Sequence, residues 1–124
     1  MAKYGLEQLE VWRASMELAR DVCLRLVPAL PEEEKYALAS QLRRAAQSIP
    51  ANIAEAYGRF HYADAARCCY IARGSLEEMW SHVLLGREIG YWRDFSFEEL
   101  RKRYLRVQQM LNGYIGYLKR SRRT

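Results

Sequence analysis

The chain has 124 residues, half of them apolar and 28% charged, which suits one domain with its own core and excludes a disordered segment. Only seven Gly and three Pro interrupt it, so long helices are expected and a many-turned β architecture is not. The net charge of +5 is compatible with RNA, DNA or an acidic protein partner and selects none of them.

The first predicted helix runs from about Leu6 to Val27. Leu9, Trp12, Met16, Ala19, Cys23 and Leu26 recur at spacings of three and four, an apolar stripe on one face. Pro28 and Pro31 end it. The second begins in the acidic run Glu32, Glu33 and Glu34, which favours a helix N-terminus. Its stripe is Leu38, Leu42, Ala46, Ile49, Ile53 and Tyr57. Pro50 lies inside that stripe, so the segment is either one kinked helix or two short ones. The period stays in phase on both sides, which favours the kink.

The stretch from Gly58 to Tyr62 is the next break. A third helix follows with Ala65, Cys69, Ala72, Leu76, Met79 and Val83 on its stripe and Gly90 as a stop. Ala72, Gly74 and Ser75 keep its middle thin enough for a close neighbour. Ser96 and Glu99 have capping-box spacing for the last helix, whose stripe is Phe97, Leu100, Tyr104, Val107, Leu111, Tyr114 and Leu118. Four amphipathic helices on short connections predict an all-α, antiparallel up-and-down four-helix bundle. Residues 1–124 form a single domain with a short basic C-terminal tail.

Arg44, Ser48, Asn52, Glu55 and Arg59 form a polar line along the second helix. It is either a solvated face with Glu55 and Arg59 paired at i,i+4, or an ordered seam at a subunit contact or ligand surface. Arg43, Arg44, Arg59, Arg67 and Arg73 would make one basic surface if the second and third helices pack side by side, and guanidinium groups suit phosphates. Tyr57, Tyr62 and Tyr70 between them would stack on unpaired bases or else fill a core. From Arg101 onward there are eight cations and no carboxylate. Of these, Lys119, Arg120, Arg122 and Arg123 either contact phosphates or complement the helix C-terminus.

No reaction is legible. His61 and His82 are too far apart for a local metal pair, Cys68 and Cys69 lack zinc-site spacing, and Glu77 and Glu78 diverge around their helix. Ser48 and Ser75 have no adjacent base, and no phosphate-cradling glycine loop occurs. A non-enzymatic protein without metal or cofactor is expected. Three cysteines without framework spacing, no opening secretory signal and no apolar run near the ~18 residues of a membrane span point to a reducing cytoplasm and away from a membrane.

Three stretches stand out as motifs: Leu30 to Leu38 with Ser40 to Ala46, Ser48 to Glu55, and Ile71 to Glu78. Together they closely resemble the four-helix bundle family first noticed as proteins encoded in intervening sequences of bacterial 23S ribosomal RNA genes. The likeness extends from Leu9 to the last helix. It implies an up-and-down bundle assembling into a homopentameric ring. A related group serves as accessory proteins of diversity-generating retroelements, where a basic pentamer engages the reverse transcriptase and its template RNA. The resemblance places Arg44, Ser48, Asn52 and Glu55 in the family's central polar motif, and Arg73, Gly74 and Ser75 in its second, which raises the seam above the solvated face. Two departures occur. Ala56 stands where the family usually has Gly, and Met79-Trp80-Ser81-His82 replaces a polar stretch, so Trp80 and His82 are candidates for a changed partner surface.

Two functions follow from these expectations. One is a homo-oligomeric RNA-binding protein that is not an enzyme. The other is a protein-interaction scaffold, such as a reverse-transcriptase accessory protein.

Overall fold

The computed structural model describes residues 5–93 and 96–121, and four helices account for most of that span: α1 (Glu10–Asp21), α2 (Leu38–Tyr57), α3 (Tyr62–Ile89) and α4 (Phe97–Arg120). No strand occurs among the described residues. Each helix packs on its neighbours in chain order and α4 returns to α1, so the four close an up-and-down bundle. The segments 22–37 and 86–97 gather at what we call the upper end. The 58–62 connection and the last turns of α4 lie at the lower end. No helix among the described residues is long and apolar enough to cross a membrane.

The α2 and α3 stripes fall where periodicity places them. Leu38, Leu42, Ala46, Ile49 and Ile53 are buried, as are all six residues from Ala65 to Val83 on the α3 stripe. Tyr57, the last of the α2 series, is instead 40% exposed at the lower end. α2 runs unbroken through Pro50. Buried alanines, Ala45, Ala46 and Ala56 on α2 and Ala65, Ala66 and Ala72 on α3, let these two helices make the closest pairing in the bundle. Gly74 faces outward, and a Cβ there would meet nothing within 4 Å. The thin middle of α3 is therefore due to Ala72 and Ser75 within the chain.

α1 departs from expectation in phase. Its core residues are Val11, Ser15, Leu18, Ala19, Val22 and Leu26; Ala19 and Leu26 fall on the predicted stripe, while Val11, Ser15 and Val22 stand one position before Trp12, Met16 and Cys23. Met16 is 42% exposed. The centre of the face is Ser15, fully buried, whose hydroxyl donates to the Trp12 carbonyl at 2.8 Å. That local bond satisfies a polar group which a hydrophobic pattern passes over. The segment 6–27 is also not one α-helix. Leu6–Gln8 is a 3₁₀ turn, and after Asp21 the chain widens into a π turn over Val22–Leu26 before a 3₁₀ turn at Val27–Ala29.

The upper end is held by specific side chains. Glu32–Glu34 form a 3₁₀ turn, so the acidic run precedes α2. One carboxylate oxygen of Glu34 accepts the Leu38 backbone N–H at 3.1 Å, satisfying one of the free amides of the first turn. The other accepts the Tyr91 hydroxyl at 2.7 Å, and this hydrogen bond pushes the phenol pKa up. Gly90 ends α3 in the left-handed region, φ +92°, where a side chain would be strained. Beyond it the Trp92 indole N–H donates to the Leu26 carbonyl at 3.0 Å, and its ring lies against Gly86. Ser96 occupies the cap position of α4, but its side chain makes no capping bond.

α3 and α4 are tied by polar contacts along their length. The Tyr104 hydroxyl and the Gln108 amide both donate to Glu77, at 2.6 and 2.8 Å. Burial, then the hydrogen bond to Glu77, pushes the Tyr104 phenol up to about 12. Trp80 stacks on Tyr104 with ring centroids 4.4 Å apart and planes 4° from parallel. It is 5% exposed, so it is a core residue and cannot mark a partner surface. Phe97 completes the cluster 5.3 Å from Trp80, with the Arg87 guanidinium 4.1 Å over its ring.

Candidate nucleic-acid interface

The arginines grouped by the sequence point to different faces. Arg43 and Arg44 are adjacent, hence about 100° apart around α2. Arg43 lies on the α1 side, near enough for its charge to act on Cys23, and Arg44 is exposed. Both sit near the top of α2, roughly 20 Å above Tyr57 at 1.5 Å per residue. Arg73 turns towards α4, where its guanidinium donates to the side-chain amide oxygen of Asn112 at 2.9 Å, and it lies 5.2 Å over the Tyr70 ring of its own helix. Arg43 and Arg44 thus lie a helix length away from Arg59, while Arg73 stands over Tyr70.

The polar line on α2 divides as well. In its middle, Ser48 and Ser75 share a hydrogen bond of 2.8 Å between α2 and α3. The Asn52 amide donates to both the hydroxyl and the carbonyl of Ser48 at 2.9 Å. This part is a half-buried seam within one chain. Its ends are solvated: Arg44 is exposed, and Arg59 pairs with Glu55 one turn away.

The lower end gathers cations and rings from three elements. Arg59 follows α2, Arg67 lies in the first turns of α3, and Lys119 and Arg120 end α4. Arg67 pairs with Asp64 at 3.4 Å, a weak exposed contact. Lys119 and Arg120 make no ion pair among the described residues. Arg122 and Arg123 lie outside the described residues. Among these cations stand Phe60, 74% exposed, Tyr117, 48%, Tyr57, and Tyr70 at 39%. Tyr117 stacks near-parallel on Tyr114 with centroids 6.2 Å apart, and Tyr62 lies tilted to Tyr117 at 6.2 Å. Burial is the main cause that pushes the Tyr114 phenol up to about 12, with Cys69 and the neighbouring tyrosines adding to it.

Sequence reasoning does not single out Phe60 or Tyr117, and Tyr114 reads as core from its period. For Phe60 the signal in the sequence is its place beside Arg59 in a connecting segment.

A second charged groove runs between α1 and α4, lined by Arg13, Lys102, Arg103 and Arg106 together with Glu10 and Glu17. Arg103 reaches Asp21 at 3.6 Å. Arg103 thus meets a carboxylate of α1, Glu99 of α4 lines the same groove, and the groove carries mixed charge.

The remaining ionisable residues are dispersed. Cys68 and Cys69 are buried, and burial pushes the Cys69 thiol up to about 11, which disfavours the reactive thiolate. His61 precedes α3 with its ring edge-on to Phe60 at 4.9 Å. His82 is half-buried, 3.5 Å from the Glu78 carboxylate. Among the described residues no three His, Cys, Asp or Glu side chains converge as metal ligands would.

No curated protein matches the chain. The model of one protein family, the 23S rRNA-intervening sequence proteins, matches residues 7–113. The match spans α1 to α3 and most of α4, and to that family this chain belongs.

Proposed function

We propose that the chain is a homo-oligomeric RNA-binding protein that is not an enzyme, and that it meets RNA through the lower end of the bundle. The observation that carries this is the convergence there of Arg59, Arg67, Lys119 and Arg120 with exposed Tyr57, Phe60, Tyr70 and Tyr117. Cations neutralise phosphates and ring faces stack on bases, a combination that suits RNA better than an acidic protein. In an oligomer each such end is repeated, so modest contacts gain by multivalency.

The test is RNA affinity of the intact protein as a function of salt. Replacing Arg59, Arg67, Lys119 and Arg120 by Gln is expected to weaken binding. The salt slope should fall by roughly 0.7 for each single-strand phosphate that is no longer neutralised. Replacing Arg43 and Arg44 instead should have a much smaller effect. Unchanged affinity and slope in the lower-end variant would reject the assignment. Sequencing RNA crosslinked to the protein in its own cells would identify the target.

A specific observation favours a protein contact elsewhere. Ile71, Leu85 and Ile89 are each about half exposed, at 53%, 50% and 52%, and lie along one outer line of α3. We assign this line to self-association. The same face would serve a foreign partner such as a reverse transcriptase if the protein acts as an accessory scaffold. Light scattering of an Ile71→Lys, Leu85→Lys variant separates the two. Dissociation to monomers supports the oligomer, whereas an unchanged mass with loss of a nuclease-resistant protein partner supports the scaffold.

A further inference from the structure

Between α3 and α4 at the lower end lies a groove of about 250 Å³ lined by Tyr62, Ala63, Ala66, Tyr70, Leu118 and Lys119. We propose that this groove holds an unpaired base of the bound RNA, with the Lys119 ammonium on the adjoining phosphate. The inference rests on the RNA-binding function proposed above and names the form of RNA: single-stranded.

Shape is the first reason. Ala63 and Ala66 lie three residues apart on one side of α3, so the floor between the two tyrosines carries only methyl groups. Tyr62 and Tyr70 are eight residues apart on α3, about 12 Å along its axis. The depression between them is open to flat apolar groups and offers few polar partners. A base pair inside a duplex hides its ring faces in the stack, whereas an unpaired base presents them.

Rigidity is the second. Tyr62 packs 6.2 Å from Tyr117, itself stacked on Tyr114. Tyr70 lies under the Arg73 guanidinium at 5.2 Å, and that guanidinium is fixed by Asn112 at 2.9 Å. Both rings that bound the groove are therefore supported by neighbours, which lowers the entropy lost when a base docks. Arg73 is on this basis a positioning residue for Tyr70.

Charge is the third. Lys119 sits on the rim without an ion pair among the described residues, and Arg120 follows it. The groove thus joins an apolar slot to a cation, the arrangement that an aromatic ring bearing a phosphodiester complements.

The experiment measures fluorescence anisotropy of a labelled short mixed-sequence RNA strand, alone and annealed to its complement, with the full chain. The parent protein is expected to bind the single strand at least about ten-fold more tightly than the duplex. Ala63→Leu fills the groove from an exposed helical position, and Tyr70→Leu removes a ring face while keeping apolar bulk. Each is expected to weaken single-strand binding by roughly 5-fold or more, the loss of about one base stack, with little change for the duplex. Thermal melts of both variants confirm that the fold persists. Equal affinity for strand and duplex overturns the inference, as does parent-like binding by both groove variants while Lys119→Gln still weakens binding. In the latter result RNA binding stands and only the groove is wrong. If the lower-end cation variants bind like the parent, the lower-end assignment fails, and if the parent binds neither strand nor duplex, the RNA-binding function itself fails.

Discussion

Gly86 offers a test of the packing at the upper end in which two effects oppose each other. It lies inside α3, where Ala in place of Gly ordinarily stabilises by about 1 kcal/mol through backbone entropy. A Cβ at this position would come within 2.4 Å of the Trp92 ring, a distance real contacts do not reach. Trp92 cannot retreat freely, because its indole N–H is bonded to the Leu26 carbonyl at 3.0 Å. Overpacking of this kind costs about 1–3 kcal/mol, and losing the indole bond adds about 1 kcal/mol. Set against the helix gain, Gly86→Ala is expected to destabilise by about 1–3 kcal/mol. For a domain of this size that is a fall in Tm of roughly 4–12 °C. Gly113→Ala is the control. It lies inside α4, exposed, and a Cβ there meets nothing within 4 Å, so the same substitution should stabilise by about 0.5–1 kcal/mol. Urea unfolding followed by far-ultraviolet circular dichroism measures both at a common protein concentration. Equal stabilisation by the two substitutions would show that Trp92 does not occupy the space against Gly86 and would refute the reasoning.

Ser48→Ala should cost about 1–2 kcal/mol, since it strands Ser75 and half of the Asn52 amide. A double-mutant cycle with Ser75→Ala should return a coupling near 1 kcal/mol, and additive losses would mean the seam bond does not form. Trp80→Ala should destabilise by about 3–5 kcal/mol, as expected for emptying an aromatic site in a core; near-neutral stability would return Trp80 to the surface. The Tyr104 phenol, pushed up to about 12, gives an alkaline dependence. Its folded pKa exceeds the unfolded value near 10, so its stabilisation is complete below pH ~10 and is lost as pH rises towards ~12. Tyr104→Phe should flatten the fall in stability over that window; parallel profiles for parent and variant would contradict the shift.

Much of the fold is legible in the residues because α2, α3 and α4 have apolar stripes that agree with their burial. α1 is the exception, and the cause is chemical. A serine at the centre of its face satisfies itself on Trp12, so the apparent stripe follows the flank through Met16. The ends of α1 and the acidic run before α2 depend on 3₁₀ and π geometry that periodicity does not encode. The candidate interface is less legible. Arg43 and Arg44 are neighbours in sequence but diverge around the helix, and Arg73 is claimed by Asn112 and Tyr70. Which cations share a surface depends on helix phase and on where each helix ends. Tyr114 and Tyr117 join Phe60 at the lower end only because the bundle returns α4 to the level of the α2–α3 connection.

The π turn at Val22–Leu26 changes how α1 tolerates insertions and deletions. An extra residue inside a regular α-helix rotates everything beyond it by about 100° and takes the far apolar residues off the core. Here the wide turn takes up such a residue locally. Leu24 projects to solvent, 63% exposed, while Val22, Leu26 and Val27 on either side remain buried. The register of α1 with the rest of the bundle is therefore set separately on each side of this turn. A chain one residue shorter at Leu24 could close the turn into ordinary α-helix and keep both halves of the apolar face in place.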